Sequence, residues 1–280
     1  MPALFLYLKL WWKFLLGIAD GYRRSAHAGI NRYEQRVYSQ HREDGIIDWL
    51  LQQINNPTRR FVEFGFGPDQ SNCLRLALHR NYEGVFLDGD EKKVALAKTI
   101  YRWRTGKRVG VKHVFLDREN LNQSIFNAGT TGNIDVLSID VDGNDFWFWQ
   151  CLHVVNPAIV VIEYNASLGI DRAISIPYTP NFVRYRMHKS GFYHGASLPA
   201  LEILGTRMGY RLVACDSTGV NAFFVRHDIA ADTIPGQSST QVFFPHRGRT
   251  RYKKLSTEEQ FALIDDLPYI NIDEQNALSP

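Results

Sequence analysis

Acidic side chains gather in one short stretch of this 280-residue chain: Val136-Leu-Ser-Ile-Asp-Val-Asp-Gly-Asn-Asp145 carries Asp140, Asp142 and Asp145 directly after an apolar run. Such a run reads as a strand, which puts the acids at its carboxyl end, the edge where open α/β sheets hold ligands. Carboxylates this close repel one another unless hydrogen bonds, a cation or raised pKa values relieve them. Ile159-Val-Val-Ile-Glu-Tyr-Asn165 is a second apolar run with a polar end, Glu163 and Asn165. Ending side by side, the two strands would offer Asp140, Asp142, Glu163 and Asn165 to one crevice. Oxygen donors of this kind suit Mg2+ or another hard divalent cation, with Asp142, Glu163 and Asn165 as its ligands. A cation there would lower the pKa of a bound hydroxyl, and Asp140 and Asp142 are the catalytic candidates. A hydrogen-bonded crevice without metal accommodates the same residues. The spacing D-x-D-G-N-D also resembles part of a calcium loop, but a strand precedes it and no glutamate closes it. Asp145 heads the aromatic run Phe146-Trp-Phe-Trp149 and reads as a helix cap.

A second constellation lies upstream. Phe61-Val-Glu-Phe-Gly-Phe-Gly67 is an apolar strand running into Gly65 and Gly67, residues that permit a tight turn and close approach of a ligand to the backbone. Asn72 stands near the place of the third glycine of a dinucleotide fingerprint, which argues against a pyrophosphate ligand. Glu63, inside the strand, is placed to order the loop or to meet a ligand amine. Gly84-Val-Phe-Leu-Asp-Gly-Asp90 is a further strand with an acidic end, and Asp88 follows Gly67 at about the 20-residue spacing of a ribose-binding acid. Asp90 reads as the N-cap of a helix opening at Glu91.

These motifs need a scaffold that aligns strand ends. Apolar runs at Arg60–Phe64, Gly84–Asp88, Val111–Phe115, Ile134–Asp140 and Ala158–Tyr164 alternate with helical patterns at Gln70–His79, Glu91–Thr105, Asn120–Phe126 and Asp145–Leu152. That alternation predicts a mainly parallel sheet with helices on its faces. Tyr210–Cys215 and Ala222–Arg226, joined by Asp216-Ser-Thr-Gly219, predict an antiparallel hairpin at the end. The expected fold is therefore α/β: a Rossmann-like sheet closed by a C-terminal hairpin, as in class I methyltransferases, where dinucleotide dehydrogenases finish on a parallel strand.

Taken together, Tyr38-Ser-Gln-His-Arg-Glu-Asp-Gly-Ile-Ile47, Leu137–Asp145, Glu163–Asn165, Tyr193-His-Gly-Ala-Ser-Leu198 and Gly219-Val-Asn-Ala-Phe-Phe-Val-Arg226 resemble a bacterial branch of FkbM-type methyltransferases over about Tyr38 to Arg226. The resemblance implies S-adenosyl-L-methionine as cofactor, held by Glu63, Gly65, Gly67, Asp88, Asp117 and Asp140. It also implies an oxygen acceptor on a sugar, glycan or small natural product. The chain departs from the FkbM pattern at Asp142, where glutamate is frequent, and in its terminal extensions. Arg184, Arg186 and His188 form a basic cluster on the expected acceptor side, and His194 is a candidate general base there, although any one histidine is more often structural. The N-P-P-Y signature of amino methylation is absent after strand four, so nucleic acid is not the expected substrate. A nucleic-acid methyltransferase, which the basic tail would suit, and a non-catalytic binding or scaffold protein on the same fold are the two alternatives.

Composition bounds the rest. The net charge is +3, and the three cysteines, Cys73, Cys151 and Cys215, show neither metal nor disulfide spacing, which fits a reducing, cytoplasmic compartment. Three segments are expected: an apolar helix and connector over 1–36, the catalytic domain over 37–230 and an extension over 231–280. Residues Ala3–Ile18 are apolar except for Lys9 and Lys13, too short and too charged to span a bilayer. With both lysines on one helix face, the segment reads either as an interfacial helix at the inner face of the membrane or as a helix packed on the domain or on a second subunit. Asp20–Arg36 reads as a polar connector, His246–Lys254 as a solvated basic tail, and Ser256–Pro280 as a short helix with a loose end.

Overall fold

A computed structural model describes residues 2–21 and 28–273, so part of the expected connector and the last residues of the expected loose end lie outside the described residues. The chain forms two compact units, residues 1–138 with 153–159 and residues 139–152 with 160–280.

The first unit opens with α1 (Pro2–Gly21), and after a 3-10 turn at Gly29–Tyr33 continues with α2 (Glu43–Leu51). There follow β1 (Arg60–Phe64), α3 (Leu74–His79), β2 (Glu83–Asp88), α4 (Glu91–Thr105), β3 (Val109–His113), α5 (Leu121–Asn127) and β4 (Gly132–Ile139). β1 pairs in parallel with β2, setting Glu63 opposite Phe86, and β2 pairs in parallel with β3. The buried Asp135 of β4 accepts hydrogen bonds from the Thr58 amide and hydroxyl and the Arg59 amide (2.7–2.8 Å), fixing the entry to β1. Asp44 at the head of α2 does the same for the preceding segment, accepting from the Val37, Tyr38 and Ser39 amides and the Ser39 hydroxyl. Sequence patterning missed α2 as an element.

The α1 helix packs on this unit through Leu6 and Leu10, both buried, and through a Phe14 ring stacked on His79 at 3.9 Å. Its two lysines meet the same unit: the exposed Lys9 and the half-buried Lys13 both pair with Asp69, at 2.8 and 2.7 Å. Burial lowers the Lys13 pKa against the pull of Asp69. His79 sits between Phe14 and Tyr38, whose hydroxyl lies 2.8 Å from its Nε2. Burial, aided by Arg104, Arg75 and Arg80, holds the ring down to about 4. Its folded pKa thus lies below the unfolded value of about 6.5, so the native state binds fewer protons than the unfolded state across that interval. Stability should be full above that window and fall as pH drops from about 6.5 to about 4. Urea midpoints measured across this window should fall less steeply for His79→Gln than for the unaltered chain; parallel curves would remove His79 as a cause.

The second unit holds α6 (Asp145–Cys151), the carboxyl end of β5 (Val155–Glu163), β6 (Ile174–Ser175), α7 (Arg184–Met187) and α8 (Leu198–Arg207). β7 (Tyr210–Cys215) and β8 (Asn221–Arg226) form the expected antiparallel hairpin, and the Asp216 carboxylate accepts from the Thr218 and Val220 amides in its turn. The chain then makes three short helices, α9 (Ser239–Val242), α10 (Arg247–Arg251) and α11 (Thr257–Phe261), before β9 (Ile270–Asn271) pairs antiparallel with β6. Leu168, Ile176, Phe182, Phe192, Tyr193 and Ile264 build a local core beneath these segments.

The main sheet runs β3-β2-β1-β4-β5-β8-β7. Outward growth from β1 on one side, then from β4, with the last two strands exchanged, is the order of the Rossmann-like class I methyltransferase fold. Among the described residues, no helix is long and apolar enough to cross a membrane.

Candidate functional site

In the first unit the glycine turn is built from its own backbone. Gly65 adopts a φ of 69° and donates its amide to the Leu87 carbonyl at 2.9 Å, tying the turn to the end of β2. Gly67 bridges Gln70, and a Cβ at Gly67 would stand 2.8 Å from the Gln70 carbonyl, so a side chain there would force the loop open. Glu63 orders the loop rather than leaving it for a ligand: its carboxylate accepts from the Ser71 hydroxyl (2.7 Å) and from the Asn72 and Cys73 amides (3.0 and 2.8 Å). Burial raises its pKa to about 7 against those hydrogen bonds. Asn72 donates to the Ser138 hydroxyl at 3.1 Å. Asp69, in the same loop, is the residue that the α1 lysines hold.

Asp88, at the end of β2, accepts one amide on each oxygen, Phe66 at 3.2 Å and Asp90 at 2.7 Å. Each oxygen therefore keeps acceptor capacity for a further donor. Burial raises its pKa while these amides and Lys93 lower it. Asp90 caps α4 as expected, accepting from the Lys92 and Lys93 amides. Asp117 exchanges hydrogen bonds with Asn120 across the turn before α5, its carboxylate accepting the Asn120 amide at 2.7 Å. It secures that turn, a role the spacing did not reveal.

In the second unit, Asp140, Asp142 and Glu163 each place a carboxylate oxygen within 4.8 Å of the others. The loop that carries the first two is shaped by Asp145, whose carboxylate folds back to accept the Val141 and Gly143 amides, both at 2.8 Å. Asn144, not Asp145, occupies the cap position of α6, so Asp145 braces the loop from the first helical residue instead of capping the helix. Burial and Glu163 raise the Asp145 pKa to about 8. Asp140 is raised well above the ordinary carboxylate range by burial and by Glu163 and Asp142 beside it. Asp142 is exposed, and Arg184 hydrogen-bonds to it while lying 3.6 Å from Glu163. Arg184 also donates to the Gly191 carbonyl, which fixes the guanidinium in place.

Glu163 is surrounded by positive or donating groups. Burial opposes its ionisation, yet His194, Arg184 and Arg249 bring its pKa well below the ordinary value. Its Oε2 lies 3.5 Å from His194 Nδ1, and neither atom has a closer hydrogen-bonding partner. On the far side of the ring, Arg249 approaches His194 Nε2 at 3.1 Å. A guanidinium only donates, so Nε2 is the acceptor and the ring proton sits on Nδ1, towards Glu163. Burial lowers the His194 pKa to about 4. The expectation of a general base at His194 is thus corrected: the ring is buried and its basic nitrogen is occupied by Arg249.

Asn165 is likewise committed. Its amide nitrogen donates to the Phe192 and His194 carbonyls, and its oxygen accepts from the Ser167 amide and from Arg249. With both donors and both lone pairs engaged, it is unsuited to ligate a metal, and Asp140 takes its place among the converging oxygens. Arg249 is the residue that sequence reading missed. It lies in the stretch expected to be a solvated tail, yet it is buried and donates to Asn165, Ser167 (2.6 Å) and His194. His246 caps α10 and so turns Arg249 inward.

No family model matches the chain, and no curated protein matches it. Among solved structures, the chain is similar to an O-methyltransferase from Bacillus cereus in complex with SAH, at 18% identity over 77% of this chain and 88% of that one, with a TM-score of 0.42. It is also similar to magnesium protoporphyrin IX methyltransferase from Synechocystis with bound SAH (16% identity, 76% of this chain and 99% of that one, TM-score 0.44). A third likeness is to an O-methyltransferase from Streptomyces achromogenes in complex with SAM (20% identity, 63% and 75%, TM-score 0.40). Likenesses of this size leave activity and substrate to be argued from the residues themselves.

Proposed function

We propose that this chain is an S-adenosyl-L-methionine-dependent methyltransferase of FkbM-like type that methylates an oxygen of a sugar, glycan or small natural product. One observation carries the reading: Asp88 ends β2 beside a glycine turn pinned by Glu63, with acceptor capacity left on both oxygens. A carboxylate so placed takes the two hydroxyls of a ribose, and the shortened glycine pattern has no place for a pyrophosphate. When bound, S-adenosylmethionine would supply an electrophilic methyl carbon to the acceptor oxygen, with the electron pair of the broken carbon–sulfur bond going to sulfur and S-adenosylhomocysteine as the leaving product. The hydroxyl proton would pass to the ionised Asp140 carboxylate, which stands just past β4 beside Asp142 and Glu163. Asp142 and Glu163 would hold a divalent cation, their carboxylate oxygens converging with that of Asp140 within 4.8 Å. Such a cation would make the acceptor hydroxyl more acidic.

Calorimetry with S-adenosylhomocysteine tests the cofactor half. The unaltered chain should bind it, and Asp88→Ala should weaken binding by roughly 1–3 kcal/mol, the scale of hydrogen bonds to a charged group. Binding of NAD without S-adenosylhomocysteine would overturn the reading.

A further inference from the structure

Lys9 and Lys13 lie to one side of the helix, where they pair with Asp69, and the adjoining outer face of α1 is apolar. Leu4, Phe5, Leu8, Trp11, Trp12, Leu15, Leu16 and Ile18 are all exposed, Phe5 by 71%, Trp11 by 53% and Trp12 by 59%. At 100° per residue these eight positions cover an arc of roughly 160°, wider than the stripe of about 100° that a helix buries against a protein core. The surface continues onto α4. Trp103, 68% exposed, meets the Tyr7 ring edge-on at 5.1 Å, and the Arg104 guanidinium lies over the Tyr7 ring. α4 itself carries Lys92, Lys93, Lys98, Arg102 and Arg104 against the single acid Glu91.

We infer that the outer face of α1, together with Trp103 and the basic residues of α4, docks on an anionic lipid surface. Three observations favour lipid over a second protein. A flat interface accepts the whole arc at once, whereas a partner helix covers only a stripe. Indole rings lie comfortably at the depth of lipid headgroups. The neighbouring surplus of lysine and arginine attracts acidic headgroups and would repel an identical surface of a second copy. Lys9 and Lys13 share the single carboxylate of Asp69 beside this face, with the Lys9 side chain 47% exposed, so the pair keeps a net positive charge that an acidic headgroup can meet. The helix lies on the surface rather than through it.

Co-sedimentation of the full chain with vesicles tests this. Vesicles of phosphatidylcholine with phosphatidylserine should carry the protein down, and vesicles of phosphatidylcholine alone should carry less. Raised salt should narrow the difference. Trp11→Ser with Trp12→Ser should cost roughly tenfold or more in partitioning, in line with the apolar area removed. Lys98→Glu with Arg102→Glu should abolish the preference for phosphatidylserine. Both tryptophans point to solvent, so circular dichroism and the urea midpoint should be unchanged, which separates lost docking from lost fold. Absence of sedimentation with either vesicle overturns the inference. Undiminished sedimentation of the tryptophan variant does so too. A dimer by light scattering that this variant dissolves, without vesicle binding, assigns the face to a second copy instead.

Discussion

Replacing Arg249 with leucine should destabilise the protein by roughly 1–3 kcal/mol, the cost of leaving buried polar groups short of a hydrogen-bond donor. Arg249 is buried, and although burial lowers its pKa to about 10, it stays charged at neutral pH. Its nitrogens serve Asn165, Ser167 and His194, and its charge is one of those that keep Glu163 ionised. Leucine fills part of the volume but leaves the Asn165 oxygen short of a donor and Glu163 with less compensation. The drop should appear as a lower urea midpoint with an unchanged slope. Arg249→Lys should recover only part of it, because an ammonium cannot reproduce a fork that reaches three partners. The His194 ring should also titrate higher in the leucine variant, since Arg249 is one of the groups that lower it. An unchanged midpoint would show that the network does not hold the second unit together.

The second large effect is catalytic. Asp140→Asn should lower methyl transfer by a factor on the order of 10²–10⁴, the usual contribution of a positioned base. Asparagine keeps the shape and removes the proton acceptor. Transfer would be followed over a panel of sugar and phenolic acceptors, with and without EDTA, beside calorimetry with S-adenosylhomocysteine. Loss of transfer alone identifies the base; loss of binding as well assigns Asp140 to the cofactor. Asp142→Ala should lower transfer and remove any sensitivity to EDTA, because it deletes the most accessible of the three converging carboxylates. Full activity of both variants would dismiss this cluster as the reaction centre, and complete resistance of the unaltered chain to EDTA would dismiss the cation.

Legibility in the sequence followed the range of the interactions. β1 and β7 fall where their apolar runs predict, at Arg60–Phe64 and Tyr210–Cys215, because each strand is flanked by local turn chemistry. β3 lies at Val109–His113 rather than at the more apolar Val111–Phe115, because pairing with β2 sets Gly84 opposite Val109. α3 begins at Leu74, several residues later than the pattern from Gln70 suggests: Glu63 draws in the amides of Asn72 and Cys73 and delays the helix. Asp140, Asp142 and Glu163 could be grouped because two strand ends are easy to read. Arg249 could not, since its partners Asn165, Ser167 and His194 lie 84, 82 and 55 residues away and nothing in His246–Lys254 sets one arginine apart from the rest. The same limit applied to the α1 lysines, whose helical spacing fixed a face but not what the face meets.

Asp142 also bears on how this loop came to have its composition. Its backbone sits at a φ of 57°, a region that favours glycine or asparagine, and the next residue, Gly143, leaves no room for a side chain, since a Cβ would stand 2.2 Å from the Phe182 ring. Selection for stability alone would therefore choose a glycine at position 142, relieving the backbone and losing only a contact that is largely in solvent. An aspartate there trades robustness for a carboxylate at one particular point. The loop is accordingly a poor target for consensus-style stabilisation if the proposed site is right: the substitution that most improves its backbone is the one that removes this carboxylate.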